Sequence, residues 1–172
     1  MKKRFHYKLT YVSLDMLDWY VRRCFAMVKD EYTLVLVKPD GVKTRHIGEI
    51  ITRIERKGYK IEALKMIQPT EELLRQHYAD KVDKPFFPEL LEYMTEGPIV
   101  GIVVSGTNVI KAIHNMAGAT NPVEAEWGTI RGDYGREWPD GNLRNIVHTS
   151  DEPASATKEI KIWFPEFEFT QG

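Results

Sequence analysis

A single histidine, His148, stands in the stretch RNIVHTSD, with Asn145 ahead of it and Ser150 behind it. Ile146 and Val147 read as a short strand, and the residues after Ser150 read as a helix. At a helix N-terminus, unpaired amides and the macrodipole favour an arriving anion such as a phosphoryl group. Glu159 falls within that helix and is placed to accept a hydrogen bond from one ring nitrogen, leaving the other with a free lone pair for attack. This is the logic of a catalytic triad without its serine. Three further phosphate-competent side chains lie at the ends of predicted elements or in loops: Lys38 after the first strand, Thr120 after a helix and Arg131 in a long loop. Each is ordinary alone, as are Asn145 and a lone histidine; the placement of His148 between a strand and a helix N-terminus is what shifts the balance toward phosphate chemistry.

Other chemistries find less support. The stretch GIVVSGT, residues 101–107, imitates a phosphate-binding loop but lacks the lysine, and its first five residues read as strand. The five histidines are scattered without a His-x-x-x-His pair, and Cys24 is the single cysteine, so zinc is unsupported. Lys and Arg number 24 against 25 acids, a net charge of −1, which offers no global field for nucleic acid or an anionic membrane. No run approaches the roughly 18 apolar residues of a spanning helix. The lone cysteine fits a reducing compartment, so the expected location is the cytoplasm.

The elements that must position these residues are legible from periodicity. The chain has 172 residues, of which 42% are apolar, enough for one conventional core. Tyr32 to Val37 reads as a strand; Ile47, Ile50, Ile51 and Ile54 form a helical stripe closed by Gly58. Tyr59 to Ile67 reads as a second strand, and Pro69-Thr70-Glu71-Glu72 starts a helix running to about Tyr78. Pro88 opens another helix that Gly97-Pro98 stops, and Ile99 to Val104 is a buried strand. Thr107 is expected to cap a helix ended by Gly118. Residues 121–143 have no sustained period and form a loop too long to be an idle connection. Ser150 is expected to cap a final helix carrying Ala156, Ile160, Trp163 and Phe164 on one face, before Pro165. Strands alternating with helices suit an α/β (α+β) sandwich, with helices on one face of an antiparallel sheet and a ferredoxin-like βαββαβ core as the best match.

Residues 1–30 read as an N-terminal extension ahead of a domain spanning 31–172. Leu14, Leu17, Val21, Phe25 and Val28 recur there at helical spacing behind Ser13.

The motifs VKPDGV, GEII, HYAD, KPFFPEL, ATNP, GTIRGD and RNIVH-x-SD with a trailing KEI-x-WF, in that order from about Glu31 to Phe164, resemble the nucleoside diphosphate kinase family. The resemblance implies transfer of the terminal phosphate of a nucleoside triphosphate to a nucleoside diphosphate by a ping-pong route through a phosphohistidine, with Mg²⁺ held mainly by the nucleotide phosphates. The matching histidine is His148. Lys38 matches the lysine on the transferred phosphoryl group, and Tyr78 matches a tyrosine hydroxyl near it. Phe86 matches the ring on which the base stacks, with Leu90 in the same slot; a π-face accepts every base. Thr120 and Arg131 match phosphate ligands, Asn145 the side chain on the ribose 3′-hydroxyl, and Ser150 and Glu159 the residues that orient the histidine. A homo-oligomer, hexamer or tetramer, is implied as well.

Three departures stand out. His114 occupies the place of a usual family arginine six residues before Thr120, which predicts a grip on the nucleotide phosphates weaker by about 1 to 3 kcal/mol. The interval from Arg131 to Asn145 is lengthened by a turn, residues 136–141, in which Arg136 could stand in for the missing arginine. Thr149 replaces a typically small residue. These departures motivate an alternative, a weak or inactive homologue serving as a nucleotide-binding module; the residues retained favour the active enzyme.

Overall fold

The computed structural model describes residues 30–141 and 143–170. The helical extension expected before residue 30 lies outside the described residues. The strands are β1 (Glu31–Val37), β2 (Lys60–Ile67), β3 (Ile99–Gly106) and β4 (Val147–Thr149). The helices are α1 (Pro39–Lys43), α2 (Ile47–Arg56), α3 (Glu71–His77), α4 (Phe87–Thr95), α5 (Val109–Ala117), α6 (Ile130–Tyr134) and α7 (Pro153–Trp163).

The strands form one sheet in the order β2-β3-β1-β4 with every neighbouring pair antiparallel. That is the ferredoxin-like arrangement. The helices, however, cover both faces of the sheet. Leu34 and Leu36 of β1 pack with Leu74, Met94, Ile160 and Trp163 from α3, α4 and α7. Val35 and Val37 point the other way, to Ile50, Ile54, Ile110 and Ile113 from α2 and α5. The physical reason is visible in β1 and β3 themselves: each is a near-continuous apolar run, the pattern of a strand buried on both faces, where alternation would mark a one-sided sheet.

Local signals set most boundaries. Thr70 caps α3, its hydroxyl accepting the Leu73 N–H at 3.2 Å. Two expected caps differ. α5 starts at Asn108, which sits in the left-handed region at φ 53° and makes no side-chain cap bond, so Thr107 is not the cap. α7 starts at Glu152 with Pro153 in its first turn, while the Ser150 hydroxyl turns inward. The long loop holds a five-residue helix, α6, capped by the Thr129 hydroxyl on Gly132 N–H at 3.1 Å. Arg53 of α2 fastens this loop by pairing with Asp133 and donating to the Tyr134 hydroxyl and the Gly128 carbonyl.

The register of β4 on β1 matters most for chemistry. His148 lies opposite Leu36, and directly opposed residues share a face. The His148 side chain therefore emerges on the α3/α7 side of the sheet, at its edge.

Candidate active site

A chain of hydrogen bonds ties His148 to the middle of the sheet. The Leu34 N–H of β1 donates to Ser150 Oγ at 3.2 Å, and Ser150 N–H returns a bond to the Leu34 carbonyl at 3.1 Å. Ser150 Oγ, fully buried, donates to Glu159 Oε2 at 2.6 Å. The same oxygen lies 3.0 Å from His148 Nε2. A carboxylate accepts only, so Nε2 must carry the proton and Nδ1 keeps its lone pair. Glu159, one turn before the end of α7, thus sets both the tautomer and the orientation of the ring. Of the two residues expected beside the histidine, Glu159 contacts its ring and Ser150 contacts Glu159.

Behind His148 stands His77, the last residue of α3, which the sequence reading passed over although it lies in the quoted HYAD motif. Its ring is edge-on to His148 with centroids 4.5 Å apart, and it is 6% exposed. Trp163 Nε1–H donates to its Nδ1 at 3.2 Å, so its Nε2 holds the proton; that buried group has no partner among the described residues. Burial, reinforced by His148 and Lys38, holds the His77 pKa well below the usual value, keeping the ring neutral. Tyr78 packs beside it, buried, with its hydroxyl on Met94 Sδ at 3.9 Å and its pKa raised by burial.

His77, His148 and Glu159 bring three potential metal-ligand atoms within 4.8 Å of one another, a proximity no sequence spacing announced. The Trp163 bond argues against a metal here. It consumes the His77 Nδ1 lone pair and leaves a proton on Nε2, so the free corner of the ring is a donor where a metal needs a lone pair.

The cationic side of the site is densely bonded. Lys38, which is 7% exposed, donates through Nζ to Asn145 Oδ1 at 2.7 Å, and Asn145 Nδ2 donates to the Thr120 carbonyl at 2.9 Å. Desolvation, with the Arg131 charge adding to it and Asp40 opposing, lowers the Lys38 pKa to about 8. Arg131, also buried, donates to the carbonyls of Gly118, Asn145 and Val147. It splints the segment before His148 to the loop after α5, and its charge lies at the same cleft.

The residues singled out in sequence line one cleft of about 770 Å³, with two exceptions: Ser150, which supports it from beneath, and Arg136. Phe86 caps α4 and is 50% exposed, whereas its neighbour Phe87 is core at 3%; the available aromatic face is thus that of Phe86. Leu90 and Leu143 line the same cleft. His114 also lines it, and its Nδ1 lies 3.3 Å from Thr149 Oγ1, so two of the departures touch each other. Arg136 does not join them: its guanidinium lies over the Trp138 ring, 4.4 Å from the centroid, and it is absent from the cleft wall. Cation–π attraction to Trp138, which Arg144 shares at 5.2 Å while pairing with Glu96, holds the inserted turn together instead.

The class is that of antiparallel α/β sandwiches carrying an oriented histidine in a cation-lined cleft. Comparison with known proteins narrows the class. The pattern of the family described as nucleoside diphosphate kinase matches residues 31–169. A nucleoside diphosphate kinase of Nocardia farcinica is 53% identical over 138 residues, covering 80% of this chain and 96% of the relative. One from Archaeoglobus fulgidus is 50% identical over 138 residues, 80% and 89% of the two chains. Among solved structures, a nucleoside diphosphate kinase family protein from Babesia bovis is 42% identical with a TM-score of 0.74, covering 83% of this chain and 94% of its own. The apo enzyme from Encephalitozoon cuniculi is 40% identical with a TM-score of 0.73, covering 78% and 88%. This chain belongs to the nucleoside diphosphate kinase family.

Proposed function

We propose that His148 is the group through which this chain works as a nucleoside diphosphate kinase, moving the terminal phosphate of a nucleoside triphosphate to a nucleoside diphosphate. The observation that carries the assignment is the bond that His148 Nε2–H donates to Glu159 Oε2, which leaves Nδ1 as the nucleophile. In the first half-reaction Nδ1 attacks the γ-phosphorus; the P–N bond forms, the bond to the β-bridging oxygen breaks, and the diphosphate leaves with that electron pair. In the second, a terminal oxygen of another diphosphate attacks the phosphorus, and the P–N electrons return to Nδ1. The Nε2 proton stays on the ring throughout, and Glu159 offsets the positive charge that the ring acquires.

Lys38 and Arg131 supply positive charge to the transferring group, whose loose transition state spreads negative charge over its oxygens. Tyr78 packs against this end of the cleft, and Phe86 with Leu90 offers the base an apolar, non-discriminating platform. Thr120 and His114 are assigned to the phosphates and Asn145 to the ribose 3′-hydroxyl. Mg²⁺ would be held mainly by the nucleotide phosphates, whose charge it would neutralise; Asp151 is among the carboxylates lining the cleft. A homo-oligomer and a cytoplasmic location belong to the same proposal. No helix among the described residues is long and apolar enough to cross a membrane. No specific observation favours the inactive binding-module reading.

The test is intact mass after brief exposure to MgATP, for the wild type and His148→Ala. The proposal expects one acid-labile phosphoryl group on the wild type alone, discharged by added GDP or CDP. Equal labelling of both proteins would transfer the role to another residue.

A further inference from the structure

The segment that carries Asn145 and His148 contains a backbone anomaly. Ile146, a β-branched residue, sits in the left-handed region at φ 66°. Such a residue disfavours that region, and it persists only where surrounding structure imposes it. The imposing groups come from the KPDG turn, whose Asp40 is 3% exposed and was met above only as the charge that opposes the lowering of the Lys38 pKa. Asp40 Oδ2 accepts the Ile146 N–H at 3.0 Å, and Lys38 N–H donates to the Ile146 carbonyl at 2.8 Å. Both backbone groups of the anomalous residue are therefore held by this turn. The other carboxylate oxygen, Oδ1, accepts the Gly41 N–H at 2.9 Å and the Tyr93 hydroxyl at 2.7 Å. Gly41 lets the two segments close: a Cβ there would meet the Ile146 carbonyl oxygen at 3.0 Å and Val37 Cγ1 at 2.9 Å.

We infer that Asp40 is a positioning residue for phosphoryl transfer: it holds Ile146 in its left-handed turn, so that Asn145 faces Lys38 on one side and His148 meets Glu159 on the other. This rests on the assignment of His148 as phosphoryl acceptor. Without Asp40 the turn relaxes toward an ordinary conformation, and a peptide rotation at Ile146 moves both neighbouring side chains. Tyr93 fixes the carboxylate from the far side; burial and the Asp40 charge raise the Tyr93 pKa, so its hydroxyl remains a donor.

Asp40→Asn tests this directly. An amide retaining its oxygen toward Gly41 N–H and Tyr93 sets an N–H₂ against the Ile146 N–H, donor against donor, and breaks that one link. Gly41→Ala disturbs the same turn by volume and leaves the carboxylate intact. The measurement is the single-turnover rate of His148 phosphorylation by MgATP, beside thermal melting and beside a core variant, Ile54→Val, as a stability control. A second readout is the ratio of rates with a nucleotide and its 3′-deoxy analogue, which a merely structural role would not move. The expectation is a phosphorylation rate at least 30-fold lower in Asp40→Asn and several-fold lower in Gly41→Ala, with the 3′-hydroxyl ratio falling toward one in both. Wild-type rates in either folded variant, or a loss with the 3′-hydroxyl ratio unchanged, would overturn the inference. Absence of phosphate on His148 in the wild type would instead overturn the assignment on which it rests.

Discussion

Replacing Glu159 by glutamine removes one charge and almost no volume. Glu159 Oε2 receives bonds from Ser150 Oγ at 2.6 Å and His148 Nε2 at 3.0 Å, and a glutamine oxygen in the same place can still accept both. The tautomer of His148 is thus preserved, and Nδ1 remains free. What disappears is the charge assistance. A bond to a charged acceptor contributes about 1.5 to 3 kcal/mol against about 0.5 to 1.5 for a neutral one. The bond to His148 strengthens as the ring gains positive charge during attack, so most of the roughly 1 to 2 kcal/mol lost falls on the transition state. The expected result is a phosphorylation rate about 5- to 30-fold lower with nucleotide affinity little changed. Rapid-quench single turnover with labelled ATP, counting acid-labile phosphate, measures the first quantity; calorimetric titration with ADP measures the second. A glutamine variant phosphorylated at the wild-type rate would refute the argument. A defect confined to ADP binding would refute it equally, because it would place Glu159 on the nucleotide and not on the ring.

Three more expectations follow from the same geometry. Burial sets the Lys38 pKa at about 8 against 10.5 for the unfolded chain. Between those values the unfolded state holds a proton the folded state has released, so through this group folding stability rises with pH while kcat/KM, which needs the ammonium, falls above about pH 8; melting curves and initial rates across pH 7 to 10 for wild type and Lys38→Met check both signs, and parallel decline of the two quantities would contradict it. His77 has its pKa depressed well below 6.5 by burial, so as pH falls below 6.5 the unfolded chain takes up a proton that the folded chain refuses, and stability is lost by up to about 1.4 kcal/mol per pH unit. Denaturant titrations of His77→Gln between pH 5 and 7 should show a flatter acid limb, and an unchanged slope would exclude His77 as its source. Finally, His114→Arg should tighten ADP binding by about 1 to 3 kcal/mol, since a fork of charged donors replaces a ring engaged at Nδ1 by Thr149; identical affinities would remove His114 from the phosphate site.

How far the sequence carried this account depends on whether each feature is local. The stripe Ile47, Ile50, Ile51, Ile54 produced α2, and the apolar face of Ala156, Ile160 and Trp163 produced α7, because helical periodicity is written over consecutive turns. The uninterrupted runs of β1 and β3 held the evidence for a sheet covered on both faces, although the reading expected one. α6 is only five residues long, too short for a period to register. The caps at Thr107 and Ser150 followed the usual preference for hydroxyls. At Asn108 a left-handed backbone overrode that preference, and at Ser150 a buried carboxylate did.

The site shows the same division. His148 and Glu159 are neighbours along one strand-turn-helix unit, so their contact was legible; Ser150 was read there as a helix cap, and its place beside the histidine came only from the family resemblance. His77 reaches His148 from a different helix, 71 positions earlier in the chain, and only tertiary packing under Trp163 brings the rings together. Nothing in the residues RNIVH announces a left-handed isoleucine, because propensity argues against one; a carboxylate 106 residues away imposes it. Arg136 was a plausible substitute cation on composition, but the adjacent Trp138 ring takes its guanidinium.

The central claim is that Glu159 holds Nε2 of His148 and that phosphorus therefore arrives on Nδ1. Nitrogen-15 and phosphorus-31 NMR of the protein after reaction with MgATP distinguishes the two ring nitrogens, through the coupling and shift of the phosphorylated one. The geometry predicts a single phosphohistidine at position 148 with phosphorus on Nδ1 and the proton retained on Nε2. Phosphorus on Nε2, or on any residue other than His148, would contradict the account.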